Sequence, residues 1–454
     1  MKRNHLHTVV WITLSLVIIL VLMRWIPSLE FGDWQSRRVD ILSDVLANDS
    51  GTDPDSVAAP ASVVPLQVVD SCPPGVTCIM DFANDSAQGM EPLYRALSQV
   101  NSLGRPVRIA VLGDSYIEGD IVTAKFRELM QKRFGGSGVG LIPITSDSPG
   151  FRHTVMHSFG NWEDHHANDN SGYNSQWANI TGHYFFAKSK AWVELRGVKD
   201  FLSHLDTCSQ SSIYFSTSNT VTIAAGINGG DPHYFSAEPN TGVSVLSVSG
   251  RIGRVRWDVP QPCNGTTFYG VSLDCDRGVV VDNFGLRSAS GYHLSAISDS
   301  LITAFDRARH YDLIVFAYGL NVAGKNQTNF SGYYGKMTAI ISRYKRLLPH
   351  TGFLVMSVAD REGRDAAGNF KTFPGVHHIV ATQHRIAADC HVAFWNLYEA
   401  MGGEGSVVKM AQNHEANLDY THVNHKGGKR LGELLFSAIA WGQECYEKSH
   451  PKQQ

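Results

Sequence analysis

Hydrophobic residues recur along this chain in two rhythms, and the change between them divides it. Leu93, Leu97 and Val100 fall at helical spacing behind Pro92, which suits a first helical turn, so residues 92–100 are predicted to form a short amphipathic helix. The apolar run 107–112 predicts a buried strand and 121–134 a helix. Past the glycines at 135–140 the helical period is lost. From about 151 to 283, β-prone runs such as 191–195, 220–223, 243–248 and 254–259 alternate with Gly, Asn, Pro and Asp turns, the pattern of a β-sandwich-like unit. After Leu294 the first rhythm returns, with helical segments at 296–309, 333–348, 376–389 and 429–441 and strands at 313–317, 352–356 and 391–395. Strands alternating with helices imply a parallel sheet covered on both faces. One α/β domain is thus expected in two sequence halves, 86–150 and 284–446, interrupted by an inserted β-rich domain at 151–283.

The N-terminus has a different character. Residues 8–23 carry no charge and are rich in Val, Ile and Leu, between Lys2-Arg3 and Arg24-Trp25. This predicts one membrane anchor within residues 1–26, with Trp25 and Arg24 at the interface and no small-residue cleavage site after the apolar run. The basic residues before the span place the N-terminus in the cytoplasm and the body of the chain outside. Residues 27–85, polar and irregular at first, read as a linker.

With 454 residues, 43% of them hydrophobic and 10% aromatic, the chain is long enough for two or three packed domains. A net charge of −3 provides no basic field, which argues against a nucleic-acid partner. The glycine run 135–140 lacks the Lys-Ser/Thr of a phosphate loop, and no cofactor is expected. The seven cysteines fit an exported protein with some disulfides, and Cys72 and Cys78 flank a Pro-Pro-Gly turn that can close a small loop. None has metal-ligand spacing, so no metal site is expected. Trp162, Trp177, Trp192 and Trp257 lie in the β-rich region, where sandwich core is the favoured role and a sugar-stacking surface the alternative.

Candidate chemistry begins where the first strand ends. Gly113-Asp114-Ser115 marks a tight turn between strand and helix, a place where a serine hydroxyl is held above a sheet beside free backbone N–H groups. Ser115 is the candidate nucleophile, although Gly-Asp-Ser is also ordinary turn chemistry. A nucleophilic serine needs a base, and the base an orienting carboxylate. Asp419-Tyr420-Thr421-His422 supplies both on one turn; His425 reads as a surface or supporting residue. Asn321, directly after the 313–317 strand, can donate to an oxyanion, or else cap the following turn.

Gly-Asp-Ser early, Gly-x-Asn in the middle and Asp-x-x-His near the end, in that order after strands, resemble the SGNH or GDSL-type hydrolase family over residues 105–145 and 280–440. The resemblance implies a flavodoxin-like three-layer α/β fold. It also implies Ser115 as nucleophile, His422 as base and Asp419 as its acid, with Asn321 and the Ser115 N–H in the oxyanion hole. The family's glycine donor falls within 283–291, where Ser288 stands at the usual glycine position and Gly291 is the candidate. The β-rich insertion resembles exported bacterial peptidoglycan O-acetylesterases, in which a carbohydrate-binding-like module interrupts the hydrolase domain. This implies a serine esterase acting on an acetylated polysaccharide such as peptidoglycan; together with the N-terminal anchor it predicts a single-pass protein of the bacterial cytoplasmic membrane with its catalytic domain periplasmic or extracytoplasmic. An O-acetyltransferase with the same triad, supplied by a membrane acyltransferase partner, and a non-catalytic glycan-binding protein are the alternatives.

Overall fold

The computed structural model describes residues 72–84, 88–168, 172–202, 204–365 and 367–451, together with Trp11 and the paired strands Glu30–Phe31 and Trp34–Gln35. The chain divides into a unit of Met1–Ser62 and a unit of Val63–Gln454, and the second carries the architecture that follows. In chain order it contains β1 (Met80–Asp81), α1 (Glu91–Ser98), β2 (Val107–Gly113), α2 (Thr123–Phe134), β3 (Gly140–Ile142), β4 (Val155–His166) and β5 (His183–Gly197). Next come β6 (Cys208–Thr217), β7 (Val221–Ile227), β8 (His233–Ala237), β9 (Asn240–Ile252), β10 (Arg254–Val259), β11 (Thr266–Asp274), β12 (Val279–Gly285) and α3 (Asp299–Arg309). The remainder is β13 (Leu313–Ala317), α4 (Ser331–Leu347), β14 (Gly352–Met356), β15 (Glu362–Arg364), β16 (Phe370–Thr372), α5 (Pro374–Asp389), β17 (Ala393–Trp395), α6 (Leu397–Ala400), α7 (Ser406–Gln412) and α8 (His425–Ser449).

A six-stranded sheet has the order β12-β2-β13-β14-β17-β1. All its pairings are parallel except the last, where the short β1 lies antiparallel on β17. Burial on both faces explains why β13 is apolar at every position: Leu313, Ile314, Val315 and Phe316 are all sealed in the core. The result is an α/β domain with a mixed sheet.

Between β2 and β12, which are neighbours in that sheet, the chain builds a separate nine-stranded antiparallel sheet. Its main path is β8-β7-β10-β5-β11-β6-β9, with β3 added on β11 and β4 on β5. Two facing sheets were the expectation, whereas one hydrogen-bonded sheet curls around a core of Phe215, Trp257 and Phe268. The reason is β5, a strand of 15 residues that pairs with β4 and β10 and also meets β11 at Phe185 and Phe268. Trp162 and Trp257 belong to this core, and only Trp177 is open to solvent, at 45%. Trp192 lies under the Arg256 guanidinium, 4.2 Å from the ring centroid.

One buried cation ties the two sheets. Arg309, at the end of α3, donates to Asp282 of β12 at 2.6 Å, to Asp274 of β11 at 2.8 Å and to the Tyr214 hydroxyl of β6 at 2.7 Å. The two carboxylates outweigh the effect of burial and hold the guanidinium firmly protonated. Near the start of the unit, Cys72 and Cys78 form a disulfide.

The expected single-pass anchor is corrected. Among the described residues no helix is long and apolar enough to cross a membrane. The uncharged run 8–23 stops at Arg24, short of the ~20 apolar residues that a spanning helix needs. That run lies outside the described residues. The membrane as a partner, the single-pass topology and the placement at the cytoplasmic membrane all depended on that helix, and they fall with it.

Candidate active site

Chain order places the site before any side chain is considered. From β2 the chain next enters the sheet at β12, on one side, and then at β13, on the other, so a crevice opens at the carboxyl ends of these strands. Ser115 follows β2, Gly291 follows β12 and Asn321 follows β13.

The Ser115 turn is fastened from within. The Asp114 carbonyl accepts from the N–H groups of Ile117 at 3.0 Å and Glu118 at 3.1 Å, and the Asp114 carboxyl accepts from Tyr116 N–H at 3.0 Å. Below it, Asp120 adopts a left-handed conformation, φ 63°, and is wholly buried. Its carboxylate receives Arg127 at 2.9 and 3.0 Å, Arg152 at 2.9 Å, Thr123 at 2.7 Å and the Thr154 hydroxyl. Burial opposes ionisation, but the two guanidiniums outweigh it and hold this carboxyl well below the usual range. Arg152 and Thr154 precede β4, so the cluster joins the serine turn to the start of the β-rich region.

The histidine is built locally. Asp419 Oδ1 accepts the backbone N–H groups of Thr421 and His422, both at 3.0 Å, an arrangement that requires Tyr420 at φ 51°. Oδ2 is then left facing His422 Nδ1 at 2.8 Å. Partial burial pushes the Asp419 carboxyl up, and these hydrogen bonds more than reverse it, so it ionises below its ordinary value. Just beyond, Asn424 caps α8 by accepting from Lys426 N–H at 2.9 Å and Gly427 N–H at 3.2 Å.

Two glycines of α8 bring the halves together. A Cβ on Gly428 would stand 2.1 Å from the Ile121 carbonyl oxygen and one on Gly432 2.6 Å from that of Val122. Only a bare backbone lets the helix that begins after His422 seat itself on the segment that follows Ser115. His422 Nε2 thereby lies 3.1 Å from Ser115 Oγ. With Nδ1 donating to Asp419, Nε2 is the free acceptor for the serine proton.

Asn321 stands on the rim, where its Nδ2 donates to Asp114 Oδ2 at 3.2 Å and to the Ala289 carbonyl at 3.0 Å. Nothing in the sequence pointed to the Asp114 contact, since it spans 207 positions. Burial pushes the Asp114 carboxyl up to about 6, against the opposing hydrogen bond from Tyr116 N–H. Gly291 has a packing reason to be glycine: at φ 84° it lies against Tyr318, whose ring a Cβ would meet at 2.8 Å. Ser288 holds the other left-handed position of that loop, at φ 62°. His425 faces elsewhere, stacking on His153 with ring centroids 4.2 Å apart.

An open cavity of about 440 Å³ adjoins the site, lined by His422, Thr421, Asn321, Gly324, Gln327 and Arg361. Ser115, His422, Asp419 and Asn321 thus come together, a set able to activate a hydroxyl nucleophile and donate to a developing oxyanion.

No family model matches the chain, and no curated protein matches its sequence. Among solved structures it is similar to a peptidoglycan O-acetylesterase, with 21% identity and a TM-score of 0.67 over 81% of this chain and 99% of the other. It shares the fold of that protein. A family two carbohydrate esterase from Clostridium thermocellum in complex with cellohexaose aligns with 63% of this chain and 99% of its own, at 13% identity and a TM-score of 0.26. A GDSL-like lipase candidate from Parabacteroides merdae aligns with 36% and 74%, at 15% identity and 0.29.

Proposed function

We propose that this chain is a serine esterase of SGNH type that removes O-acetyl groups from a polysaccharide of the cell envelope, such as peptidoglycan. The observation that carries this reading is the continuous relay from Ser115 Oγ to His422 Nε2 at 3.1 Å and from His422 Nδ1 to Asp419 Oδ2 at 2.8 Å. The fold shared with a peptidoglycan O-acetylesterase supports it. So does the half-exposed rim at His422 and Asp419, which gives a polymer-borne ester access to the serine.

In this mechanism His422 takes the Ser115 proton as Oγ attacks the acetyl carbonyl, and Asp419 stabilises the imidazolium that forms. The negative oxygen is received by the Ser115 N–H and by Asn321 Nδ2, which gives up its long bond to Asp114. His422 returns the proton to the leaving sugar oxygen. Water, deprotonated by His422 in turn, then releases acetate from the acetyl-serine. Transfer to a second sugar drew its argument from a membrane anchor, and that support is gone.

Ser115→Ala is expected to abolish hydrolysis of a chromogenic acetate ester, a loss of about 10⁶-fold in kcat, with the thermal midpoint preserved. Acetate release from O-acetylated peptidoglycan by the unaltered protein and not by the variant is the companion measurement. Equal activity in the two proteins would refute the assignment.

A further inference from the structure

The cavity beside His422 holds one guanidinium with no counter-ion. Arg361 stands in sequence between two acids, Asp360 and Glu362, yet alternation along an extended segment sends both to the opposite face. There both are engaged by other groups. Asp360 accepts from the hydroxyls of Thr372 at 2.7 Å and Ser406 at 3.2 Å and from Val407 N–H at 3.1 Å; Glu362 accepts from Val408 N–H at 3.2 Å. Among the described residues no carboxylate lies within ion-pair distance of Arg361.

The arginine is nevertheless fixed in place. Its carbonyl accepts from Phe373 N–H at 2.9 Å, its guanidinium carbon lies 5.5 Å from the Phe373 ring centroid, and Nη1 reaches the Ala323 carbonyl at 3.4 Å. Its Nε is buried without any acceptor. A buried donor with no partner is costly, and the side chain that carries it lines the cavity with no carboxylate to neutralise it, so an acceptor from outside has a guanidinium to meet there. The acids of the neighbouring site are already engaged, Asp419 by His422 and Thr421 and Asp114 by Tyr116 and Asn321. At about 440 Å³ the space falls within the ~300–1,000 Å³ of typical ligand pockets.

We infer that Arg361 forms a carboxylate-binding subsite beside the reaction centre, so that the acetylated saccharide turned over by this chain is acidic. The inference rests on the esterase reading for its second half alone. A guanidinium presents paired donors to a carboxylate in a fixed plane, which an ammonium does not reproduce. Arg361 is a specificity residue: a carboxylate held by it fixes how the sugar is laid against Ser115 and His422.

The test has two arms. In the first, kcat/KM is measured for an O-acetylated oligogalacturonate and for an O-acetylated cello-oligosaccharide of equal length. The unaltered protein is expected to favour the acidic ester; Arg361→Gln lowers the ratio of the two about tenfold or more, mainly through KM, and Arg361→Lys recovers part of it. A ratio of one or less in the unaltered protein, or an equal fall on both esters in Arg361→Gln, would overturn the inference. In the second arm, Ser115→Ala protein is titrated with unacetylated oligogalacturonate by calorimetry, with and without Arg361→Gln. Binding weakened about tenfold by the second change, and by added salt, supports the subsite even if no ester is hydrolysed, in which case the esterase reading alone fails. Binding indifferent to Arg361 overturns the subsite.

Discussion

Asp120, on the Ser115 side of the site, is sealed in the core among Arg127, Arg152, Thr123 and Thr154, whereas Asp419, on the His422 side, leaves 48% of its side chain in solvent. The first carboxylate holds distant chain segments together and touches nothing reactive. The second holds almost nothing together: its partners lie within three positions of it, and its work is to aim a ring. Burial makes a charge structurally indispensable, because its partners cannot turn to water if it is lost. Exposure frees a charge to serve chemistry alone, at little consequence for the fold.

The sharpest way to break that contrast is Asp419→Asn. It is expected to lower kcat on an acetate ester by up to about 10⁴-fold, through the wrong imidazole tautomer. Its stability should move by no more than about 1 kcal/mol, since the pair is exposed. Turnover measured beside a melting curve separates the two effects; a large loss of stability would show that the loop is structural after all. Asp120→Ala is the mirror image. It leaves Arg127 and Arg152 buried with no carboxylate, and unfolding in denaturant should show a loss of about 3–5 kcal/mol. A variant as stable as the parent would contradict the account of the serine turn.

Asp114 lies between these extremes, buried yet in contact with Asn321, and it sharpens the comparison through pH. Its carboxyl ionises at about 6 in the folded chain, against an ordinary value of 3.8, so the folded state holds that proton more tightly than the unfolded state. The stabilisation is fully present below about pH 4 and is lost as pH rises through 6, a change of about 3 kcal/mol. Asp114→Asn should remove that part of the pH dependence, and denaturant midpoints from pH 4 to 7 in both proteins would reveal it. Parallel curves would mean that Asp114 carries no such shift.

The parts of this arrangement legible in the sequence are those in which local pattern decides the outcome. The strands at 313–317 and 352–356 stand where their apolar runs put them, and the Asp419 to His422 spacing fits a single turn because its hydrogen bonds close within that turn. The helix expected at 429–441 extends from His425 to Ser449, because Asn424 starts it earlier than the apolar period shows. What the sequence did not disclose depends on distant segments meeting. The Asp114 to Asn321 bond, the Asp120 cluster and the single curled sheet are of this kind, since each joins residues whose separation carries no periodic signal. Gly428 and Gly432 are an intermediate case. They stand four residues apart on one helix, but only the backbone of Ile121 and Val122 explains why nothing larger fits there.

Arg309 has a consequence for the history open to this molecule. Its Nη1 donates to Asp274 and Tyr214 of the nine-stranded sheet, while its Nε and Nη2 reach Asp282 of the six-stranded one. Excising the segment between β2 and β12 would strip Nη1 of both acceptors and uncover a guanidinium that is wholly buried in the intact chain. The interruption is therefore not a freely detachable module: a descendant that lost those strands would also have to refit the exposed arginine at the far end of α3.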